Sequence, residues 1–185
     1  DGLFYAGLFH SIIRSNGAVG IYTPVSFVNF GGGIINTRGL VYQDPTYFAA
    51  QEYSNLRGSR PVEVTVESPF ARIPEPTQNR SASPYYPLVD VVALLSESED
   101  QLIICVVNKD PERSISLETE IRNFTFTQSS RVFVLSAESF MGCNMWYDRD
   151  HVKPRSVSLS LRHPMFTLRL EPHSLTTLTL SRRRD

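Results

Sequence analysis

From residue 61 onward the sequence is a succession of short β-prone runs, and two of them most restrict the fold. Residues 89–95 and 102–107 are almost wholly apolar and are separated by the acidic turn Ser96-Glu97-Ser98-Glu99-Asp100. Apolar runs this short, bounded by turn residues, read as buried strands. Their spacing predicts an antiparallel hairpin at the core. Around it, Val62, Val64 and Val66 alternate with polar residues, as do Val157, Leu159 and Leu161. Ile115, Leu117 and Ile121, then residues 132–135, 166–170 and 175–180, complete a set of roughly eight strands. Proline and polar turns punctuate them, including a Pro-rich loop over 69–87, the turn Asn108-Lys109-Asp110-Pro111 and a long irregular stretch over 136–154. The set predicts an antiparallel β-sandwich of jelly-roll type.

The first 58 residues are of another kind. They hold nine of the ten glycines and two of the twelve prolines. Leu3, Phe4, Leu8, Ile12 and Ile13 recur at helical spacing, and Gly17 suits the left-handed stop. Residues 19–22 are apolar and β-prone, which predicts one buried strand of a parallel sheet. Asp44 and Pro45 read as the N-cap and first turn of a second helix that runs to the region of Gly58. Helix, strand, loop and helix form the rhythm of an α/β unit. A complete (β/α)₈ barrel needs roughly 250 residues. The segment therefore predicts the last unit of a truncated barrel. The domain division is 1–58 for this remnant and 61–185 for the sandwich, and the opening Asp1 predicts that the chain is the back part of a longer protein.

Charge and motifs narrow the function. The net charge of −1 argues against a nucleic-acid partner, which calls for a basic stripe. No apolar run is long enough to cross a bilayer. Cys105 and Cys143 are too few for a disulfide framework, and Cys105 reads as a buried small hydrophobe. His10, His151, His163 and His173 show no metal-ligand spacing, so no metal or cofactor is expected, and each reads as surface or structural. There is no nucleophile elbow and no phosphate loop. Among the acids of the first segment, Asp44 reads as a helix cap and Glu52 as a residue on the outer helix. No catalytic carboxylate pair emerges.

Several motifs then fall in a telling order. Leu8-Phe9-His10-Ser11-Ile12-Ile13-Arg14, Val19-Gly20-Ile21 and Phe27-Val28-Asn29-Phe30 are followed by Pro45-Thr46-Tyr47-Phe48 and Glu67-Ser68-Pro69. Leu88-Val89-Asp90-Val91-Val92-Ala93, Val106-Val107-Asn108-Lys109 and Leu170-Glu171-Pro172-His173-Ser174-Leu175 complete the series. In order and spacing it resembles the C-terminal part of the α-L-arabinofuranosidases of glycoside hydrolase family 51, over essentially the whole chain. The resemblance implies the end of a catalytic barrel followed by a β-sandwich. It implies a parent that releases terminal arabinofuranosyl groups from plant polysaccharides or oligosaccharides by a retaining mechanism. The acid/base and nucleophile glutamates would lie upstream of Asp1, leaving this fragment inactive. It also implies a homo-oligomer and a cytoplasmic location. The family carries a sugar-binding glutamine two residues before the valine of Val28-Asn29, and Ser26 stands there. Ser26 and Asn29 are thus the substrate-binding candidates, with Asn29 also readable as a cap for loop backbone. The alternative to a hydrolase fragment is a non-catalytic sandwich module that binds carbohydrate or a partner subunit, with Phe140, Trp146, Tyr147 and the pair Tyr85-Tyr86 as candidate contacts.

Overall fold

The computed structural model describes residues 1–25, 27–30, 32–72 and 85–183. Ser26 and most of the Pro-rich loop lie outside the described residues.

Helix α1 spans Gly2–Arg14. Its buried side is Gly2, Ala6 and His10, a stripe of mostly small residues at a spacing of four. Leu3, Tyr5, Phe9 and Ile13 flank that stripe against the core, while Phe4 points outward. The expected strand at 19–22 does not form. A strand needs a neighbouring strand for its N–H and C=O groups, and no described strand pairs with this segment; the Val19 N–H donates to the Ser15 Oγ at 3.3 Å, and Ile21 is 85% exposed. The β structure between the helices is instead a hairpin, β1 (Ile34–Thr37) and β2 (Leu40–Gln43). Arg38 and Gly39 turn it, both at positive φ (51° and 77°), as a two-residue turn that matches strand twist requires. Helix α2 (Pro45–Ser54) starts where Asp44 and Pro45 predict, with the Asp44 carboxylate accepting from the Thr46 N–H at 3.1 Å.

The remainder is β. Strand β3 (Arg60–Val62) is followed by the short β4 (Phe70–Ala71) and β5 (Tyr86–Pro87). Then come β6 (Val89–Leu95), β7 (Gln101–Asn108), β8 (Ile115–Glu120), β9 (Phe126–Leu135), β10 (Arg155–Ser160), β11 (Met165–Leu170) and β12 (Ser174–Arg182). Val64 and Val66, expected to continue the first strand, fall outside β3 and are each 38% exposed. The main sheet has the order β10-β9-β12-β7-β6-β3 and every pairing in it is antiparallel. The expected hairpin is β6 and β7, in register from Val89↔Asn108 to Leu95↔Leu102.

An antiparallel sheet commonly keeps one wet face. This one is covered on both where β6, β7 and β12 run. Val92, Leu94, Cys105, Phe133 and Leu175 pack with Ala6, Phe48, Ala49 and Tyr53 of the helices. On the other face Val91, Ile104, Val106 and Leu178 pack with Leu168 and Leu170 of the β8–β11 pair. Double coverage is why residues 89–95 and 102–107 are continuous apolar runs rather than alternating ones. Cys105 is fully buried and reduced, and burial pushes its thiol up to about 12.

Candidate functional site

Asn29 lies on the loop that joins α1 to the hairpin. The loop folds back on itself: the Ile34 N–H donates to the Phe27 carbonyl at 3.0 Å, and the Asn29 N–H donates to Ile34 O at 2.8 Å. Gly33 sits in the fold at φ 97°, where a Cβ would lie 2.7 Å from both the Phe27 carbonyl and its ring. No larger residue fits that approach. The Gly33 carbonyl accepts from the Asp44 N–H at 2.7 Å, which fastens the loop to the start of α2.

Asn29 is exposed and takes the left-handed conformation (φ 68°). Its Oδ1 accepts from the Asn36 N–H at 2.5 Å, so this side chain caps the hairpin strand behind the loop. The outer surface here is apolar. Ile21, Val25 and Phe30 are each more than 80% exposed, and Phe4, Val28 and Val41 more than half exposed.

A second polar arrangement lies beneath α1. His10 is fully buried. Its Nε2 meets the Tyr53 hydroxyl at 2.6 Å, and its Nδ1 faces Asp90 Oδ1 at 3.3 Å. Asp90 also pairs with Arg14 and, at 3.4 Å, with Lys109. Arg14 adds a hydrogen bond to the Val91 carbonyl at 3.0 Å. Burial lowers the His10 pKa against the pull of Asp90, so the ring is neutral and accepts from Tyr53. Burial opposes charge on Asp90 too, but the contacts with His10 and Arg14 and the Lys109 ammonium hold its carboxyl well below the usual range. Burial, then the neighbouring Cys105 and Asp90, raise the Tyr53 hydroxyl well above its usual value. Carboxylate, imidazole and hydroxyl in series resemble a nucleophile relay in outline. With His10 sealed and Tyr53 kept protonated, the chain of contacts instead ties α1 and α2 to β6.

Glu52 lies on α2, the helix that the sequence assigned it to. It faces the sheet rather than solvent and is only 9% exposed. Burial raises its pKa against the influence of Arg131 and Thr177. His173 is structural as expected: its two ring nitrogens bridge the carbonyls of Pro111 and Ala137 at 2.8 and 2.9 Å. The candidate aromatics of the 136–154 stretch are exposed. Trp146 and Tyr147 meet edge to face at 89° with Arg38 over the indole, so they form no flat platform. Among the described residues no three His, Cys, Asp or Glu side chains converge to hold a metal ion.

The family model described as the alpha-L-arabinofuranosidase C-terminal domain matches residues 1–174. Comparison with curated proteins gives no match. Among solved structures, the alpha-L-arabinofuranosidase from Thermotoga maritima, determined as an arabinose complex, is similar with a TM-score of 0.88 at 21% identity. That alignment covers 98% of this chain and 38% of the other. The thermostable family 51 enzyme from Thermotoga petrophila RKU-1 gives 0.88 and 21%, over 97% of this chain and 37% of the other. The family 51 arabinofuranosidase from Xanthomonas axonopodis pv. citri gives 0.85 and 16%, over 98% and 35%. The chain thus spans little more than a third of the length of the structures it matches, and at these identities the likeness is one of fold.

Proposed function

The chain belongs to the alpha-L-arabinofuranosidase C-terminal domain family, and from that premise we propose that it is the C-terminal part of a retaining glycosidase that releases arabinofuranosyl groups. In this reading residues 1–58 supply the last unit of a (β/α)₈ catalytic barrel, and residues 61–185 form the sandwich that braces it. The catalytic glutamates belong to the remainder of the longer protein. Ser26 and Asn29 are the residues proposed to meet the sugar, Asn29 by holding the loop's shape through its bond to the Asn36 N–H.

The observation that carries this reading is the exposed apolar surface of Ile21, Val25, Phe30 and Val41. Exposed apolar area gathered in one segment marks a contact surface, and segment 19–22 beside it has no strand partner among the described residues. A barrel remainder would supply both the neighbouring strand and the apolar cover.

An aryl α-L-arabinofuranoside assay tests the proposal. The 185-residue chain alone is expected to show no turnover, and the longer protein that contains it is expected to hydrolyse the substrate. Turnover by the chain alone, or none by the longer protein, would overturn it.

A further inference from the structure

The helix-facing side of the main sheet changes character beyond the end of α2. Along β12 the residues on this side run from Leu175 through Thr177 and Thr179 to Ser181, and along β9 from Phe133 through Arg131 to Ser129. The register sets these groups in rows. Arg131 lies directly opposite both Ser158 of β10 and Thr179 of β12, and Thr179 lies opposite Ile103 of β7. Directly opposed residues in an antiparallel pair share a face, so hydroxyl, guanidinium and hydroxyl stand side by side across three strands. Glu52 of α2 and, just past its end, Asn55 and Leu56 wall one side of the row, bordering an open groove of about 350 Å³.

We propose that this groove binds a neutral saccharide of one or two rings. Its volume is at the low end of the roughly 300–1,000 Å³ usual for small-molecule sites. Ser158, Thr179 and Ser181 each offer a hydroxyl that donates and accepts, the same double capacity as a sugar hydroxyl. Those three hydroxyls make no hydrogen bond to another described residue, and Arg131 is engaged only electrostatically, with Glu52. Arg131 and Glu52 carry opposite charges, which favours a neutral occupant over an anion or a cation. Leu56 and Ile103 give an apolar border for the C–H face of a ring. Glu52, 9% exposed, is held at one end of the groove by the Thr177 hydroxyl and the charge of Arg131. The inference stands on the groove alone and does not depend on the hydrolase reading.

Titration of the full chain with xylobiose, followed by ¹H–¹⁵N correlation spectra, tests it. The expected result is saturable shifts at the amides of Ser129, Arg131, Ser158 and Thr179 with a millimolar Kd. Arg131→Ala is expected to weaken binding about tenfold or more, the loss of one hydrogen bond to a charged group. Thr179→Val keeps strand shape and is expected to weaken it less, while Arg162→Ala, outside the groove, leaves it unchanged. Unaltered dispersion in the apo spectra of each variant shows that the fold survives. No saturable shift at these amides, or equal binding by all three variants, would overturn the site. Shifts produced by inorganic phosphate but not by xylobiose would overturn the ligand class.

Discussion

His10 shows how much a single side chain can hide from a sequence reading. Its type and its neighbours suggest a surface or structural histidine, and nothing in the residues beside it names Tyr53 or Asp90. The signal was the spacing: Gly2 and Ala6 precede it at intervals of four, and small residues mark the side on which a helix comes closest to its support. Tyr53→Phe removes the hydroxyl that the ring accepts from and leaves a buried nitrogen without a partner. It is expected to cost about 1–3 kcal/mol in urea unfolding. The pH dependence follows from the lowered His10 pKa. The unfolded chain takes up this proton near pH 6.5 while the folded chain still excludes it, so this part of the stability is whole above that value and is lost as pH falls through the folded pKa. Asp90 acts in the same direction at lower pH: its stabilisation is present above 3.8 and is lost as pH falls below it. Unfolding midpoints measured from about pH 7.5 to 5.5 are expected to decline more steeply in the native chain than in His10→Gln. Equal slopes would remove His10 from the account.

At the scale of elements, legibility followed how local each signal was. The cap of α2 was readable because Asp44 and Pro45 act on the residues next to them. The β6–β7 hairpin was readable because both runs and their turn are contiguous. The β1–β2 hairpin was missed: its turn is Arg38-Gly39, where the strongest signal would be Asn-Gly, and four-residue strands give little alternation to count. The predicted strand at 19–22 shows the converse error, since apolar β-prone residues make a strand only when another strand is there to pair with. Full burial on both faces gives the central strands the greatest weight in stability. Leu178 of β12 is wholly inaccessible between the main sheet and the β8–β11 pair. Leu178→Ala is expected to cost about 2–5 kcal/mol by chemical denaturation. A loss below about 1 kcal/mol would mean that the second layer does not close over the sheet as described.

Across the whole molecule, the sandwich was legible and the way the first segment meets it was not. Composition divides the chain near Gly58, a residue at φ 78° whose Cβ would lie 2.9 Å from the Glu97 carboxylate. Yet Ala6, Phe48, Ala49 and Tyr53 share one core with β6, β7 and β9, because long-range packing joins what composition separates. The candidate loop was legible as glycine-rich and apolar, but the role of Asn29 depended on a bond to Asn36 seven residues away. The account rests on the proposal that the outer face of the first segment is covered in a longer protein. Hydrogen exchange at the amides of residues 19–25 measures this directly, compared between the 185-residue chain and the longer protein. Exchange is expected to be fast in the chain alone and slowed at least roughly a hundredfold in the longer protein, as strand pairing and burial require. Equally fast exchange in both would contradict the account.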